Sequence, residues 1–159
     1  VIDIINHMRN FKSEIRFIEY MDVGESNKWD PSKVVSSESL LESINEHYSL
    51  KQMKTETSST AKKWHIKDSN SSIGLISSIT QPFCSSCNRA RLSVDGKLFT
   101  CLFASNGFDI KSVIRSDDYE EKLLEFFKKI WMERSDQYSQ IRFTSKRDLP
   151  KVEMSYIGG

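Results

Sequence analysis

The 159-residue sequence lacks the features that define several classes of protein. No apolar run approaches the roughly 18 residues that a membrane-spanning helix needs. The 23 basic and 22 acidic residues leave a net charge of only +1, so the charge balance indicates neither a nucleic-acid footprint nor a polybasic membrane anchor. We therefore expect a folded protein that binds no nucleic acid and no membrane.

Cysteine is also scarce. The three cysteines, Cys84, Cys87 and Cys101, are odd in number, clustered and not preceded by a secretory signal, which argues against a disulfide framework. A reducing, cytoplasmic compartment is expected instead. The chain begins at Val1 within a helical pattern, so we expect it to be part of a longer protein.

Residues 1–48 predict a helix, a strand, a polar loop and a second helix. Apolar side chains at positions 1, 4, 5, 8 and 11 have helical spacing, and Ile15, Phe17 and Ile18 predict a buried strand. Ser36 or Ser37 is expected to cap the second helix. The helix-then-strand order is typical of an α/β protein with a parallel sheet.

The remainder of the chain has two kinds of sequence pattern, one typical of strands and one typical of helices. Residues 49–103 are rich in Ser and Thr with short apolar stretches, which predicts strands, whereas residues 117–132 predict a helix. The predicted buried face of that helix comprises Leu123, Leu124, Phe127, Ile130 and Trp131.

Asp95-Gly96 predicts a two-residue type I′ hairpin, because both residues tolerate the positive φ that this turn requires. The resulting pairs are Val94 with Lys97, Leu92 with Phe99, and Ala90 with Cys101. The hairpin would therefore return the third thiol to within a few residues of Cys87.

The cysteines have the spacing C-x2-C-x13-C, and three converging thiolates indicate a metal centre. One interpretation is a 4Fe-4S cluster with one iron that lacks a protein ligand. Another is a tetrahedral zinc site completed by a histidine such as His65. Zinc ribbons usually have a second C-x-x-C, and its absence here favours the cluster.

Arg89 and Arg91 follow the second cysteine, and on an extended strand they would project to one face. Two guanidinium groups on one face suit a polyanion such as phosphate. An ideal ladder would put Cys101 on the opposite face from the arginines, so we expect either a bulge or a strand that ends before residue 91.

The runs PFCSSCNRARLSVDGKLFTCLF and IRFIEYMDVG, with the final IGG, resemble the C-terminal part of MoaA-type GTP 3′,8-cyclases. These are radical S-adenosylmethionine enzymes of molybdenum cofactor biosynthesis. The resemblance covers essentially the whole chain. It implies the C-terminal half of an incomplete TIM-type (β/α) barrel at residues 1–48, and at residues 49–159 a strand-rich cluster-binding cap with C-terminal helices and a Gly-Gly tail.

The resemblance also implies roles for individual residues. Those expected to ligate a second 4Fe-4S cluster, whose open iron meets the guanine of GTP, are Cys84, Cys87 and Cys101. Those in the GTP-binding segment are Arg89, Ala90 and Arg91. Met21 matches a backbone contact to S-adenosylmethionine, and Gly158-Gly159 matches a flexible tail that reaches toward the active site.

The whole enzyme implied by this resemblance uses S-adenosylmethionine and two 4Fe-4S clusters to cyclise GTP to 3′,8-cyclo-7,8-dihydro-GTP. The family's C-x3-C-x2-C motif is absent from the 159 residues, so we expect no activity from this chain alone. The expected partners are GTP, the missing N-terminal half, cyclic pyranopterin monophosphate synthase as the recipient of the product, and a second copy in a homodimer.

Two alternatives remain open. The cysteine hairpin suits a zinc-stabilised, non-catalytic binding module, and it also suits an auxiliary-cluster domain of another radical S-adenosylmethionine enzyme. The R-x-R sequence between the second and third cysteines and the terminal Gly-Gly favour the GTP enzyme.

Overall fold

The computed structural model describes residues 1–143 and 150–157. The chain forms two compact units. The first comprises Val1–Met21 and Asp30–Ser86, and the second comprises Asp22–Trp29 and Cys87–Gly159. One sheet lies in the described residues of each unit.

The first unit contains two helices and a four-stranded sheet. The helices are α1 (Ile2–Met8) and α2 (Ser37–Asn45), and the strands are β1 (Glu14–Ile18), β2 (Leu50–Gln52), β3 (Lys62–Ile66) and β4 (Ser72–Ile76). The strand order is β1-β4-β3-β2; β1 runs parallel to β4, and the other neighbours are antiparallel. The predicted parallel pairing is therefore present at one edge of a mixed sheet.

Aliphatic residues form the core of the first unit. The fully packed cluster comprises Ile5, Ile15, Ile44, Ile66, Ile73 and Leu75. Ile15 and Ile73 lie opposite each other in the β1–β4 ladder, while Ile5 and Ile44 come from the two helices. Helix and sheet thus bury a single apolar layer between them, which is the usual means of stabilising an α/β body.

The local predictions for the first unit are mostly confirmed. The opening helix and the strand are present, and Ser36 caps α2 by accepting a hydrogen bond from the Ser39 amide at 3.1 Å. The predicted burial of Ile18 is wrong, because its side chain is 56% exposed at the end of β1.

The second unit contains, within its described residues, a small antiparallel sheet and three helices. The strands are β5 (Arg91–Leu92), β6 (Lys97–Phe99) and β7 (Phe108–Asp109), in that spatial order. The helices are α3 (Ile110–Ile114), α4 (Tyr119–Met132) and α5 (Tyr138–Ile141), and α4 packs against α3.

Helix α4 forms as predicted, but its buried face is smaller than its periodicity suggests. Ile130 is buried, whereas Leu124 is 56% exposed and Trp131 42% exposed; Leu123 is half-buried and Phe127 exposed. A helical repeat of apolar residues identifies an apolar face without identifying what covers it. The prediction of a fully buried face is therefore wrong for the described residues.

The fold class is mixed α/β with two sheets, and the described residues contain no closed barrel. The incomplete (β/α) barrel and the division into residues 1–48 and 49–159 remain predictions. Within residues 1–143 and 150–157, no helix combines the length and apolar character needed to cross a membrane.

Candidate functional site

The hairpin predicted at Asp95-Gly96 is present, but its register differs by one residue from the prediction. Arg91 pairs with Phe99 and Leu92 with Leu98, whereas the two-residue turn would have paired Leu92 with Phe99. The loop therefore has three residues, and the exposed Val94 lies within it.

The turn chemistry explains this shift. Gly96 has a φ of +85°, but Asp95 is not among the residues with positive φ, so a type I′ turn does not form. Instead the Gly96 amide donates to the Ser93 carbonyl oxygen, and the Ser93 hydroxyl accepts from the Lys97 amide at 3.0 Å. Three-residue loops of this kind end in a glycine bulge. The expected bulge in the ladder stays a prediction, and the alternative of a strand that ends before residue 91 is wrong, because β5 comprises Arg91–Leu92.

The three predicted ligands lie at the ends of short elements. Cys84 begins a one-turn 3-10 helix, Cys84–Ser86, in the first unit, while Cys87 and Cys101 belong to the second unit. All three lie in the described part of the chain, are half-buried and form no disulfide. Cys101 follows β6, and its sulfur accepts from the Phe103 amide at 3.4 Å.

The Cys87 thiol is surrounded by several hydrogen-bond donors. Burial raises the pKa of this thiol. Hydrogen bonds from the Arg89 backbone and side chain and from the Arg134 side chain lower the pKa by more than burial raises it, so it lies below the usual thiol value. The Arg89 guanidinium approaches the sulfur at 3.1 and 3.3 Å, and that of Arg134 approaches it at 3.3 Å. These donors favour the thiolate, the form that ligates metals.

Arg134 is a residue that the sequence analysis did not identify. It lies just beyond α4 and donates to the carbonyl oxygens of Cys87 and Thr100 as well as to the Cys87 sulfur. Asp136 accepts from its Nε at 3.0 Å, and the Trp131 ring lies 4.9 Å from its central carbon. Nothing in the local sequence points to this role, because the partners are 34 and 47 residues away.

The R-x-R pair does not lie on one strand. Strand β5 begins at Arg91, and Arg89 precedes it with its guanidinium against Cys87. Arg89 and Ala90 are exposed, and Arg91 is half-buried. The strand-based argument for a shared face is therefore wrong, while the assignment of these three residues to GTP remains a prediction.

Met21 lies three residues beyond the end of β1 and is half-buried. Two residues earlier, the buried Glu19 accepts hydrogen bonds from the amides of Ser37, Ile79 and Thr80 at 2.8 Å each. Glu19 thereby ties the end of β1 to the start of α2 and to the segment that leads to Cys84. The assignment of Met21 to S-adenosylmethionine remains a prediction.

Asp22, in the second unit, is almost fully buried and is held by three partners. It accepts from Tyr138 at 2.8 Å and from Arg142 Nε at 2.9 Å, and it pairs with Lys151 at 3.3 Å. Sequence reasoning missed this cluster, since Asp22 lies more than a hundred residues before each of its partners.

The described residues contain no group of three or more His, Cys, Asp or Glu side chains arranged to hold a metal ion. The chemistry of the cysteines nonetheless suits an iron-sulfur cluster, because no thiol is consumed by a disulfide and Cys87 favours the thiolate. His65, the histidine of the zinc alternative, lies exposed on β3.

Comparison with known proteins gives a direct match over most of the chain. The family model described as Molybdenum Cofactor Synthesis C matches residues 13–140, which include the three cysteines and the R-x-R segment. The chain belongs to the Molybdenum Cofactor Synthesis C family. The expected kinship with the C-terminal part of GTP 3′,8-cyclases is thereby confirmed.

Curated relatives agree with this family. The chain is 42% identical over 164 residues to a protein named GTP 3′,8-cyclase from Staphylococcus epidermidis strain ATCC 35984, and 43% identical to one from Staphylococcus aureus strain JH9. The alignments cover 100% of this chain and 48% of each relative. The chain thus spans about half the length of these relatives and matches their C-terminal part.

One part of the expected site, the Gly-Gly tail, is not covered by the structural description. Gly158-Gly159 lies outside the described residues. The Molybdenum Cofactor Synthesis C match ends at residue 140, so Arg134 lies within it and Arg142 does not.

Proposed function

We propose that this chain is the C-terminal part of a GTP 3′,8-cyclase, in which it holds a second 4Fe-4S cluster and GTP. The whole protein would use S-adenosylmethionine to cyclise GTP to 3′,8-cyclo-7,8-dihydro-GTP in molybdenum cofactor biosynthesis. Its partners would be the N-terminal half with the C-x3-C-x2-C motif, a second copy, and the synthase that receives the product, all in a reducing cytoplasm. This chain by itself would be inactive.

The observation that carries the proposal is the C-x2-C-x13-C set within a family match that spans residues 13–140. Its central thiol, Cys87, accepts N–H groups from two arginines and has a lowered pKa. Thiolate character is the property that cluster ligation requires. The names of the relatives supply the reaction.

In this proposal the chain's own residues bind and orient the cluster, GTP and S-adenosylmethionine. A cluster held by Cys84, Cys87 and Cys101 would supply an open iron for the guanine base. Arg91, half-buried at the start of β5, and the exposed Arg89 hold phosphate charge, and the Met21 backbone contacts S-adenosylmethionine. Fixing both ends of the nucleotide limits which ribose hydrogen a radical can reach, so positioning is the main contribution of this half.

Metal analysis of the full-length protein tests the cluster. The wild-type protein, reconstituted without oxygen, is expected to carry about eight irons per chain, and Cys84→Ala about four, because a second cluster would be lost. Ser85→Ala, which changes the exposed neighbour of Cys84, is the matched control and should keep the wild-type iron content. Stoichiometric zinc in the wild-type protein, or full iron in Cys84→Ala, would contradict the proposal.

GTP binding tests the arginines separately from the cluster. Arg91→Gln should weaken GTP binding about 10- to 100-fold with the iron content unchanged, since a charge-assisted contact to phosphate is lost. Arg115→Gln, at the end of α3 and exposed, serves as the control. Equal GTP affinity in wild type and Arg91→Gln would exclude Arg91 from the site.

A further inference from the structure

Arg134 joins the two segments of the second unit that carry cysteines. Its Nη1 donates to the Cys87 carbonyl oxygen at 2.8 Å, and its Nη2 donates to the carbonyl oxygen of Thr100, the residue before Cys101. One planar guanidinium thus fixes the separation of two backbone positions, each at or next to a proposed ligand. A rigid fork of donors suits this task, which a flexible ammonium would do less well.

The same guanidinium also points at a sulfur. Nη2 lies 3.3 Å from the Cys87 Sγ. Hydrogen bonds to ligand sulfurs stabilise the more negative, reduced form of an iron-sulfur cluster and therefore raise its reduction potential.

Arg134 is held in place by its own neighbours. Asp136 pairs with Nε at 3.0 Å, Trp131 lies against the guanidinium, and only 10% of the Arg134 side chain is exposed. Arg89, the other arginine on the Cys87 sulfur, is exposed, so the phosphates of a bound nucleotide can compete for it. Arg134 is therefore the more buried and more firmly held of the two donors to the Cys87 sulfur.

We propose that Arg134 is a positioning residue for the second cluster: it holds the Cys87 and Cys101 segments at a fixed separation and donates a hydrogen bond to the Cys87 sulfur. The inference rests on the proposed function, because it presupposes a cluster on these cysteines. It adds an outer-shell residue to ligands that the family resemblance already implied.

The test uses full-length protein in which the C-x3-C-x2-C cysteines are replaced by Ala, so that only the second cluster contributes. Arg134→Gln should release iron to a chelator about 10-fold or more faster than wild type, which is the usual cost of removing an outer-shell partner. Its reduction potential, followed by EPR, should shift to a more negative value because a donor to sulfur is lost. Arg115→Gln should match wild type in both measurements.

Arg134→Lys separates the two roles and covers the case in which Arg134→Gln does not fold. The lysine retains the positive charge but lacks the planar set of donors of a guanidinium. We therefore expect fast iron release, with a cluster reduction potential closer to that of wild type. Wild-type values of both quantities in either folded variant would overturn the inference while leaving the proposed function intact. A wild-type protein with no second cluster would overturn both.

Discussion

The two units use their buried side chains differently. The first has a continuous aliphatic layer between two helices and a four-stranded sheet, with Glu19 as a buried carboxylate that is satisfied by backbone amides. The described part of the second has short strands and buries charged groups, including Asp22 and Arg142, which are each 3% exposed as side chains.

This difference means that a different kind of interaction determines the structure of each unit. Packing of apolar area defines the first unit, and that contribution does not depend on the ionisation of side chains. Directional charged contacts define much of the second, where the side chains of Arg134 and Arg142 connect distant segments of the chain. A region held by such contacts has a precise geometry. Removal of a single partner, however, lowers its free energy of unfolding strongly, because a buried charge is left uncompensated.

The largest expected effect is in the second unit. Asp22→Asn leaves the buried Arg142 without its countercharge, which should lower the free energy of unfolding by about 3–5 kcal/mol. Urea unfolding measures this, with the exposed Asp117→Asn as the control. A loss no larger than that of the control would contradict a second unit held by buried charge.

Ile73→Ala should have the next largest effect, because it opens a cavity in the middle of the first unit. Ile73 is fully buried, and such truncations cost about 2–5 kcal/mol. Ile4→Ala is the matched control, since Ile4 is 53% exposed on α1. Hydrogen exchange should speed up across β1 and β4 in Ile73→Ala; unchanged exchange there would refute the single-core description.

Glu19→Gln tests the buried carboxylate of the first unit, with an expected cost of about 2 kcal/mol near neutral pH. Burial raises the Glu19 pKa, but hydrogen bonds from Thr80, Ser37 and Ile79 lower it by a larger amount. The pKa of Glu19 therefore lies below its usual value of 4.5. This stabilisation is complete above pH 4.5 and is lost as the pH falls through the folded pKa.

The stability difference between wild type and Glu19→Gln should therefore shrink on acidification below pH 4.5. The exposed Glu42→Gln provides the control for a change of charge on the surface. A difference that stays constant or grows at low pH would contradict an ionised Glu19.

The smallest expected effect concerns Asp95 at the hairpin turn. Hydrogen bonds from the hydroxyls of Ser93 and Tyr156 lower the Asp95 pKa to about 2. Its contribution should thus persist through mild acid and disappear only as the pH falls toward 2, and Asp95→Asn should lack this late acid step. An acid titration followed by Tyr fluorescence measures it; identical curves for the two proteins would contradict the contact.

Local pattern predicted the elements of this fold well. Helical spacing predicted α1 and α4, and the cap of α2 was expected at Ser36 or Ser37, of which Ser36 is the one found. The Asp95-Gly96 pair predicted the position of the hairpin, but its register depended on the φ of a single residue, Asp95. A one-residue error of this kind changes which side chain lies opposite Phe99.

Long-range polar contacts were not predictable in the same way. Arg134 reaches Cys87 across 47 residues and Arg142 reaches Asp22 across 120, and neither arginine differs locally from an ordinary charged residue. The cysteine spacing was informative because metal ligands commonly occur at characteristic short spacings in the sequence. The residues that orient such ligands have no fixed spacing from them. The exposed apolar face of α4 was missed because periodicity does not reveal what covers a face.

Mössbauer spectroscopy of iron-57 in the second cluster, with and without GTP, most directly tests the account. The sample is the full-length protein whose C-x3-C-x2-C cysteines are replaced by Ala, so that the proposed ligands that remain are Cys84, Cys87 and Cys101. We expect a 4Fe-4S spectrum in which one of about four iron sites changes when GTP is added. A protein that retains zinc instead, or a cluster whose sites are unaffected by GTP, would contradict the assignment of this chain as the part of a cyclase that holds the second cluster and GTP.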